Sequence, residues 1–275
     1  MKPLGMETLN FPASEWSRMA NSPLLRPLLI RLLELTNGEP VEVKKIRGSL
    51  RITSEAFEAL LQQLVDEALV TKRGESISLS LEQRLNVAMN AVKMGADPEV
   101  ISGRLSWLEF EELSAKVFEA NEFRALRRFR FTAEGRRWEI DLLAVRAPYL
   151  VCGECKHWGK GMGNKTARRI IETHLEKTEV FAKHIEDLRG RIGILGWSKA
   201  IIVPMTLTLS KTPMEIYRRM PSVSVISLPS FISEFDGQLE RLANFKVSLQ
   251  VMKPEKMQTV LTRRVIGSRR ARRRL

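Results

Sequence analysis

Asp141 and the triplet Glu154-Cys155-Lys156 are the residues of this chain best suited to act together on one bond. Between them lie two apolar, β-branched runs on either side of Ala147-Pro148, the pattern of two strands joined by a tight turn. With Arg146 facing Tyr149 across a symmetric turn, Asp141 falls opposite Glu154 and both side chains project from one face. Lys156, two residues further on, projects from that face too. Carboxylates held that close repel, so the pairing calls for a cation between them. Asp141 and Glu154 offer hard oxygen ligands for Mg²⁺ or Mn²⁺, and the backbone carbonyl of Cys155 can complete the set. Such an ion polarises a phosphate and acidifies a bound water, while a lysine neutralises charge in the transition state. The chemistry implied is hydrolysis of a phosphodiester. A plain alternative stays open: Asp141 and Lys156 as a half-buried ion pair, with Glu139 an equally good partner for the lysine.

Several elements must hold these residues in place. Ser106 to Glu109 reads as a capping box that opens a helix running to about Ala120. Strands follow over Phe123–Thr132, Trp138–Val145 and Tyr149–Lys156, the first two joined at Ala133 to Arg136. A long helix is expected over about Thr166–Leu188, then strands near Ala200–Pro204 and Val223–Leu228, and a closing helix over Pro229–Asn244. Ahead of this block, Leu24–Leu35, Val41–Ile46 and Ser54–Leu69 read as helices and Val70–Leu79 as a β-wing. Leu81–Met94 reads as a connecting helix, and Asp97-Pro98 starts another. Three helices and a wing resemble a winged helix-turn-helix domain. The third helix, however, carries Glu55, Glu58, Asp66 and Glu67 without Lys or Arg, so protein contact, including dimerisation, is favoured there over base reading. The expected division is a helical module over 1–97, an α/β unit over 98–250, and a basic tail over 251–275 expected to be disordered.

This order, carrying these residues, resembles the PD-(D/E)xK nuclease superfamily, within it the Mrr-like restriction endonucleases and archaeal Holliday-junction resolvases. Asp141 matches the first acidic position and Glu154-Cys155-Lys156 the E-x-K element. Phe110-Glu111, followed by Phe123 at the first strand, resembles the family's helix-borne glutamate. Ile140 stands where the strict motif has proline. The resemblance implies an α/β, restriction-endonuclease-like core of helix, three-strand meander, helix, strand and helix. It further implies a Mg²⁺- or Mn²⁺-dependent DNA endonuclease leaving a 5′-phosphate, in restriction or DNA repair. Asp141, Glu154 and Lys156 would be catalytic, with Glu111 holding a metal-bound water or second ion. Cutting both strands would call for a homodimer, possible through the N-terminal module. A different class of function, a DNA-binding or regulatory protein on a silent nuclease fold, remains open.

Charge agrees with a polyanionic partner: the formal net charge is +13 and the pI about 10.1. Nine Lys/Arg against one Glu in residues 253–275 leave only +5 for residues 1–252. Candidate DNA contacts are Arg127, Arg128, Arg130, Arg136 and Arg137 of the meander, Trp158, Lys160 and Lys165 beyond it, and Arg269, Arg270, Arg272, Arg273 and Arg274 of the tail. His174 and His184, ten apart on one helix, are expected at the surface.

Other motifs carry less. Cys152 and Cys155 have Cys-x-x-Cys spacing, but there is no second pair, and residues three apart on a strand face opposite ways. Two buried residues in a reducing cytoplasm are expected. Gly159 to Thr166 misses the phosphate-binding P-loop pattern because Asn164 stands at its second glycine. No apolar run approaches the roughly 18 residues of a membrane span, so no membrane partner and a cytoplasmic location are expected.

Overall fold

The computed structural model describes residues 22–156, 164–209, 215–225 and 227–250. Helix α1 (Leu25–Leu35) buries five leucines on one stripe. A two-residue strand β1 (Val41–Glu42) precedes α2 (Val43–Gly48), and α3 (Ser54–Asp66) starts where the Thr53 hydroxyl accepts from the Ala56 N–H at 3.3 Å. Strands β2 (Thr71–Arg73) and β3 (Ser76–Ser78) turn about Gly74 at φ +56°, a conformation that glycine adopts cheaply. β1 adds to them in the order β1-β3-β2. The three helices and hairpin expected here are thus present, and β1 is an addition: Val41 pairs with Ile77 instead of starting the helix. Glu55, Glu58 and Asp66 line the exposed side of α3.

Helix α4 (Leu81–Lys93) leads to the short α5 (Pro98–Ser102), capped by Asp97, and to α6 (Trp107–Ala120). Both arms of the capping box form at α6: Ser106 Oγ accepts from the Glu109 N–H, and the Glu109 carboxylate accepts from the Ser106 N–H. Strands β4 (Arg124–Ala133), β5 (Arg136–Arg146) and β6 (Tyr149–Lys156) then make the antiparallel meander. Helices α7 (Asn164–Lys183) and α8 (Ile185–Ile192) cross over to β7 (Lys199–Thr208), which runs parallel to β6. The chain ends through β8 (Ile216–Tyr217), β9 (Met220–Ser224), α9 (Leu228–Ser233), α10 (Phe235–Gln238) and β10 (Phe245–Ser248). The large sheet has the order β4-β5-β6-β7-β9-β8, with β10 on the lower half of β7. The result is a mixed α/β protein with ten helices among the described residues.

Three expectations change. The long helix breaks at His184, which becomes the N-cap of α8. The strand expected over Val223–Leu228 lies earlier, at β9, because Ser224 and Ser227 close a turn through the Ser227 N–H and the Ser224 hydroxyl at 3.2 Å. The helix expected over Pro229–Asn244 is two short helices, and the chain then extends so that Phe245 to Ser248 pair with β7.

Alternation decides what each sheet face buries. Leu142, Ala144, Val151, Cys155, Val203, Met205 and Leu207 share a core with Phe110 and Phe118 of α6 and with Leu228 and Phe235. That core continues without interruption to Leu25, Phe57, Ile77 and Leu85 of the N-terminal elements. Leu143, Val145, Leu150, Cys152 and Ile202 face the other way, onto Phe181 and Ile185. The two cysteines lie on opposite faces, both buried with free thiols.

The alternation breaks in one place. Phe129, Phe131 and Ile140 join the face of Leu126 and Leu143, although strict alternation would turn them away. The β4–β5 ladder skips a step between Arg127↔Leu142 and Phe129↔Ile140, and Arg128 sits at φ +52°. The skipped step is that of Arg128 and Asp141, so the backbone irregularity falls on a residue singled out for its chemistry.

Candidate functional site

The β5–β6 ladder is paired from Arg146↔Tyr149 to Leu142↔Gly153, the register expected from the symmetric turn. Gly153 lets the strands approach there: a Cβ would stand 3.0 Å from Leu207 Cδ1 and 3.3 Å from the Leu142 carbonyl oxygen. One step further the strands part. Asp141 Oδ2 accepts the Cys155 N–H at 2.9 Å, so a carboxylate takes a bond that strand pairing would otherwise use.

Glu154 is the most heavily paired group of the site. Lys156 Nζ lies 2.9 Å from its Oε1, and Lys177 Nζ, from α7, lies 2.5 Å from its Oε2. His174 Nε2 meets the Cys152 carbonyl oxygen at 2.8 Å, which accepts, so Nε2 carries the proton. Its Nδ1 stands 3.3 Å from Glu154 Oε2, within ion-pair distance but without the alignment of a hydrogen bond. Glu139, the alternative partner considered for Lys156, pairs instead with Arg130 at 2.5 Å.

The two carboxyls respond in opposite directions. For Glu154, burial alone would raise the pKa, but His174 in its protonated form, Lys177 and Lys156 together outweigh it and hold the group below the usual carboxylate range. For Asp141, burial and then the charge of Glu154 push the pKa up; the Cys155 N–H, Lys156 and Lys177 offset this only in part. Burial disfavours the charged form of Lys156, yet Glu154 and Asp141 raise its pKa overall, so it is an ammonium at neutral pH.

Glu111 approaches from α6. Trp107 Nε1 donates to its Oε1 at 2.5 Å, and Arg128 donates to its Oε2 through Nε at 3.2 Å and Nη2 at 3.0 Å. The Trp107 ring lies 5.9 Å from Lys156 Nζ, which ties α6 to the strand lysine. Burial, followed by the charges of Asp141, Glu111 and Glu154, pushes the Cys155 thiol well up, so three carboxylates surround a protonated thiol. That thiol is no thiolate ligand, and the hard oxygens are the available donors. Among the described residues no group of three or more His, Cys, Asp or Glu is arranged to hold a metal ion. Two carboxylates nonetheless suit Mg²⁺, which keeps several waters and is commonly held by one or two carboxylates plus substrate phosphate. Cys155, whose backbone carbonyl is a candidate ligand, lies opposite Leu207 in the β6–β7 ladder.

His174 is a correction: it is 1% exposed, because the α7 face that bears it packs on the Glu154 side of the sheet. His184 is half-buried, with Nδ1 donating to the Val180 carbonyl at 3.0 Å. Lys177 and Trp107 are not distinguished by sequence, although the i, i+3 spacing of His174 and Lys177 marks a shared helix face. Register adds a polar row, since Glu154 pairs with Thr206 and Thr206 with Ser222. The Thr206 and Ser222 hydroxyls are buried without a partner among the described residues, the kind of position where ordered water is found.

The meander arginines are largely engaged. Arg127 pairs with Glu112 at 2.7 Å and Glu119 at 3.1 Å, Arg128 with Glu111, and Arg130 with Glu139. Arg136 stacks over Trp138 at 4.1 Å, and Arg137 is exposed beside a cavity of about 620 Å³ shared with Arg191 and Phe131. Lys165 is exposed in the first turn of α7. Trp158, Lys160 and the tail arginines Arg269, Arg270, Arg272, Arg273 and Arg274 lie outside the described residues, as does most of Gly159 to Thr166. No helix of the described residues is long and apolar enough to cross a membrane.

No family model and no curated protein matches this chain. Among solved structures, protein VC1899 from Vibrio cholerae is similar over 80% of this chain and 58% of its own, at 15% identity and a TM-score of 0.34. Can2 from Sulfobacillus thermosulfidooxidans, solved in complex with cyclic tetra-adenylate, is similar over 82% of this chain and 52% of its own, at 13% identity and a TM-score of 0.30. The chain spans little more than half the length of either structure.

Proposed function

We propose that this chain is a metal-dependent DNA endonuclease of the PD-(D/E)xK kind, hydrolysing phosphodiester bonds with Mg²⁺ or Mn²⁺. The observation that carries the reading is the meeting of Asp141, Glu154 and Lys156 where β5 and β6 part, with the charge of Glu154 felt at the Asp141 carboxyl. A bound divalent ion would polarise the scissile phosphate and acidify a water. The chain's own residues supply the rest. Asp141 and Glu154 would hold the ion, and Lys156, an ammonium at neutral pH, would neutralise charge building on the phosphoryl oxygens. Glu111, fixed by Trp107 and Arg128, orients water at the edge of the site. Cleavage of both strands would use two copies of the chain.

The test is to offer plasmid, single-stranded, flap and four-way-junction DNA with Mg²⁺ or Mn²⁺ to the wild type, Asp141→Ala and Glu154→Ala. Cutting by the wild type that falls at least a thousandfold in both variants is expected. Cutting that survives Asp141→Ala, or no cutting of any substrate, overturns the reading. One observation favours a second reading, a DNA-binding or regulatory protein on a silent nuclease fold: both Glu154 oxygens already rest on lysines. That reading predicts metal-independent DNA binding which Asp141→Ala leaves unchanged.

A further inference from the structure

The two lysines on Glu154 are not equivalent. Lys156 is fixed by its strand, by the Trp107 ring and by the added attraction of Asp141. Lys177 hangs from α7 by a flexible four-carbon stem, and Glu154 is its one ion-pair partner among the described residues. Its side chain is 12% exposed, so the ammonium has an outlet. Resting on the reading of Asp141 and Glu154 as a metal-holding pair, we propose that Lys177 is a transferable cation. It occupies Glu154 Oε2 until a divalent ion takes up the carboxylate, then turns to a backbone phosphate of the bound nucleic acid.

Electrostatics requires a departure of this sort. A divalent ion on Glu154 and an ammonium on the same oxygen repel strongly at such distances. The helix itself stays in place, because His174 is anchored to the Cys152 carbonyl of the sheet at 2.8 Å. The movement is therefore confined to one side chain. Its direction is marked by a stripe along α7: Lys165, Arg169, Thr173 and Lys177 follow at intervals of four, the spacing of one helix face. The first three are exposed, and neither Lys165 nor Arg169 has an acidic partner among the described residues. The stripe descends into the site and ends at Lys177.

Charge balance points to an anionic substrate. Without metal, Asp141, Glu154 and Glu111 are matched by Lys156, Lys177 and Arg128. A divalent ion would leave an excess of two positive charges, which two successive phosphates of one strand would balance.

The test uses the full chain, freed of metal, with wild type, Lys177→Met, Lys177→Arg and Asp141→Ala compared. Ca²⁺ binding is followed by calorimetry, and binding of a labelled oligonucleotide by fluorescence anisotropy with and without Ca²⁺. Lys177→Met is expected to bind Ca²⁺ about tenfold more tightly, roughly 1.4 kcal/mol. It should also lose about tenfold in Ca²⁺-dependent oligonucleotide affinity, with Lys177→Arg close to wild type. Thermal melting of each variant separates these effects from misfolding. Ca²⁺ binding that Asp141→Ala abolishes but Lys177→Met leaves unchanged or weakens overturns the role of Lys177 alone. Wild type that binds no Ca²⁺ overturns the metal-holding pair and the transfer together.

Discussion

Asp141 and Glu154 stand on neighbouring strands, yet their surroundings drive their carboxyls in opposite directions. The pKa of Asp141 is raised in the fold, so its ionisation costs the folded chain stability. That cost is absent in strong acid, where the group is protonated both folded and unfolded, and grows as pH rises through the raised value. Asp141→Asn keeps an oxygen to accept the Cys155 N–H while removing the charge. It should therefore stabilise the metal-free chain at neutral pH by about 1 kcal/mol, a melting increase of roughly 2–4 °C. Melting curves in chelator across a pH series check this, and a variant that melts below wild type at pH 7 would sink it. Glu154 runs the other way. Its depressed pKa contributes stability above the ordinary carboxylate range that is lost as pH falls through the folded value. Glu154→Gln leaves Lys156 and Lys177 without their anion, and a cost of about 3–5 kcal/mol is expected in chemical denaturation.

At the scale of elements, α6 joins the N-terminal part of the chain to the site. Glu109 closes the capping box at Ser106 and also meets Arg84, of α4, in a buried pair. Arg84 further donates to the Leu33 carbonyl at 3.0 Å and the Arg104 carbonyl at 2.9 Å. Two residues along from Glu109, on the same helix, is Glu111, and Trp107 lies against Lys156. Glu109→Gln should cost about 3–5 kcal/mol by stranding a buried guanidinium. Ser106→Ala should cost only about 1 kcal/mol. Denaturant titration that finds the two alike would contradict the weight given to Arg84. The capping box was legible from residue spacing alone, as was the β5–β6 register from Arg146↔Tyr149 to Leu142↔Gly153, because a two-residue turn leaves one symmetric pairing for the strands it joins. What α7 brings was not legible: periodicity marks a buried helix face without naming its partner, so His174 and Lys177 gave no sign that they meet Glu154. The four residues of β10 escaped for another reason, since a strand that short is defined by the edge of β7 it joins rather than by its own pattern.

At the scale of the molecule, position along the chain separates core from charge. Buried apolar side chains from Leu25 to Leu242 form one continuous cluster, which ties the N-terminal helices to the face of the sheet that α6 covers. The excess charge lies elsewhere: residues 253–275 hold nine Lys/Arg and one Glu, more than half of the net +13. Many of the meander arginines that could have shared a phosphate-binding role are paired to glutamates already. On the proposed nuclease reading, sequence-independent affinity for DNA should therefore rest mainly on residues 251–275, and chemistry on the residues around Asp141. Each phosphate neutralised contributes about 0.9 to the slope of log affinity against log salt, so nine contacts set a ceiling of about 8 on what the tail can supply. Deleting residues 251–275 is expected to lower the measured slope by several units and weaken binding at low salt. The cleavage rate at saturating DNA should change less than threefold. Filter binding across a salt series and single-turnover cutting measure the two separately. A slope unchanged by the deletion would move the phosphate contacts back to the body of the protein, with exposed Arg137, Lys165 and Arg169 as the first residues to substitute.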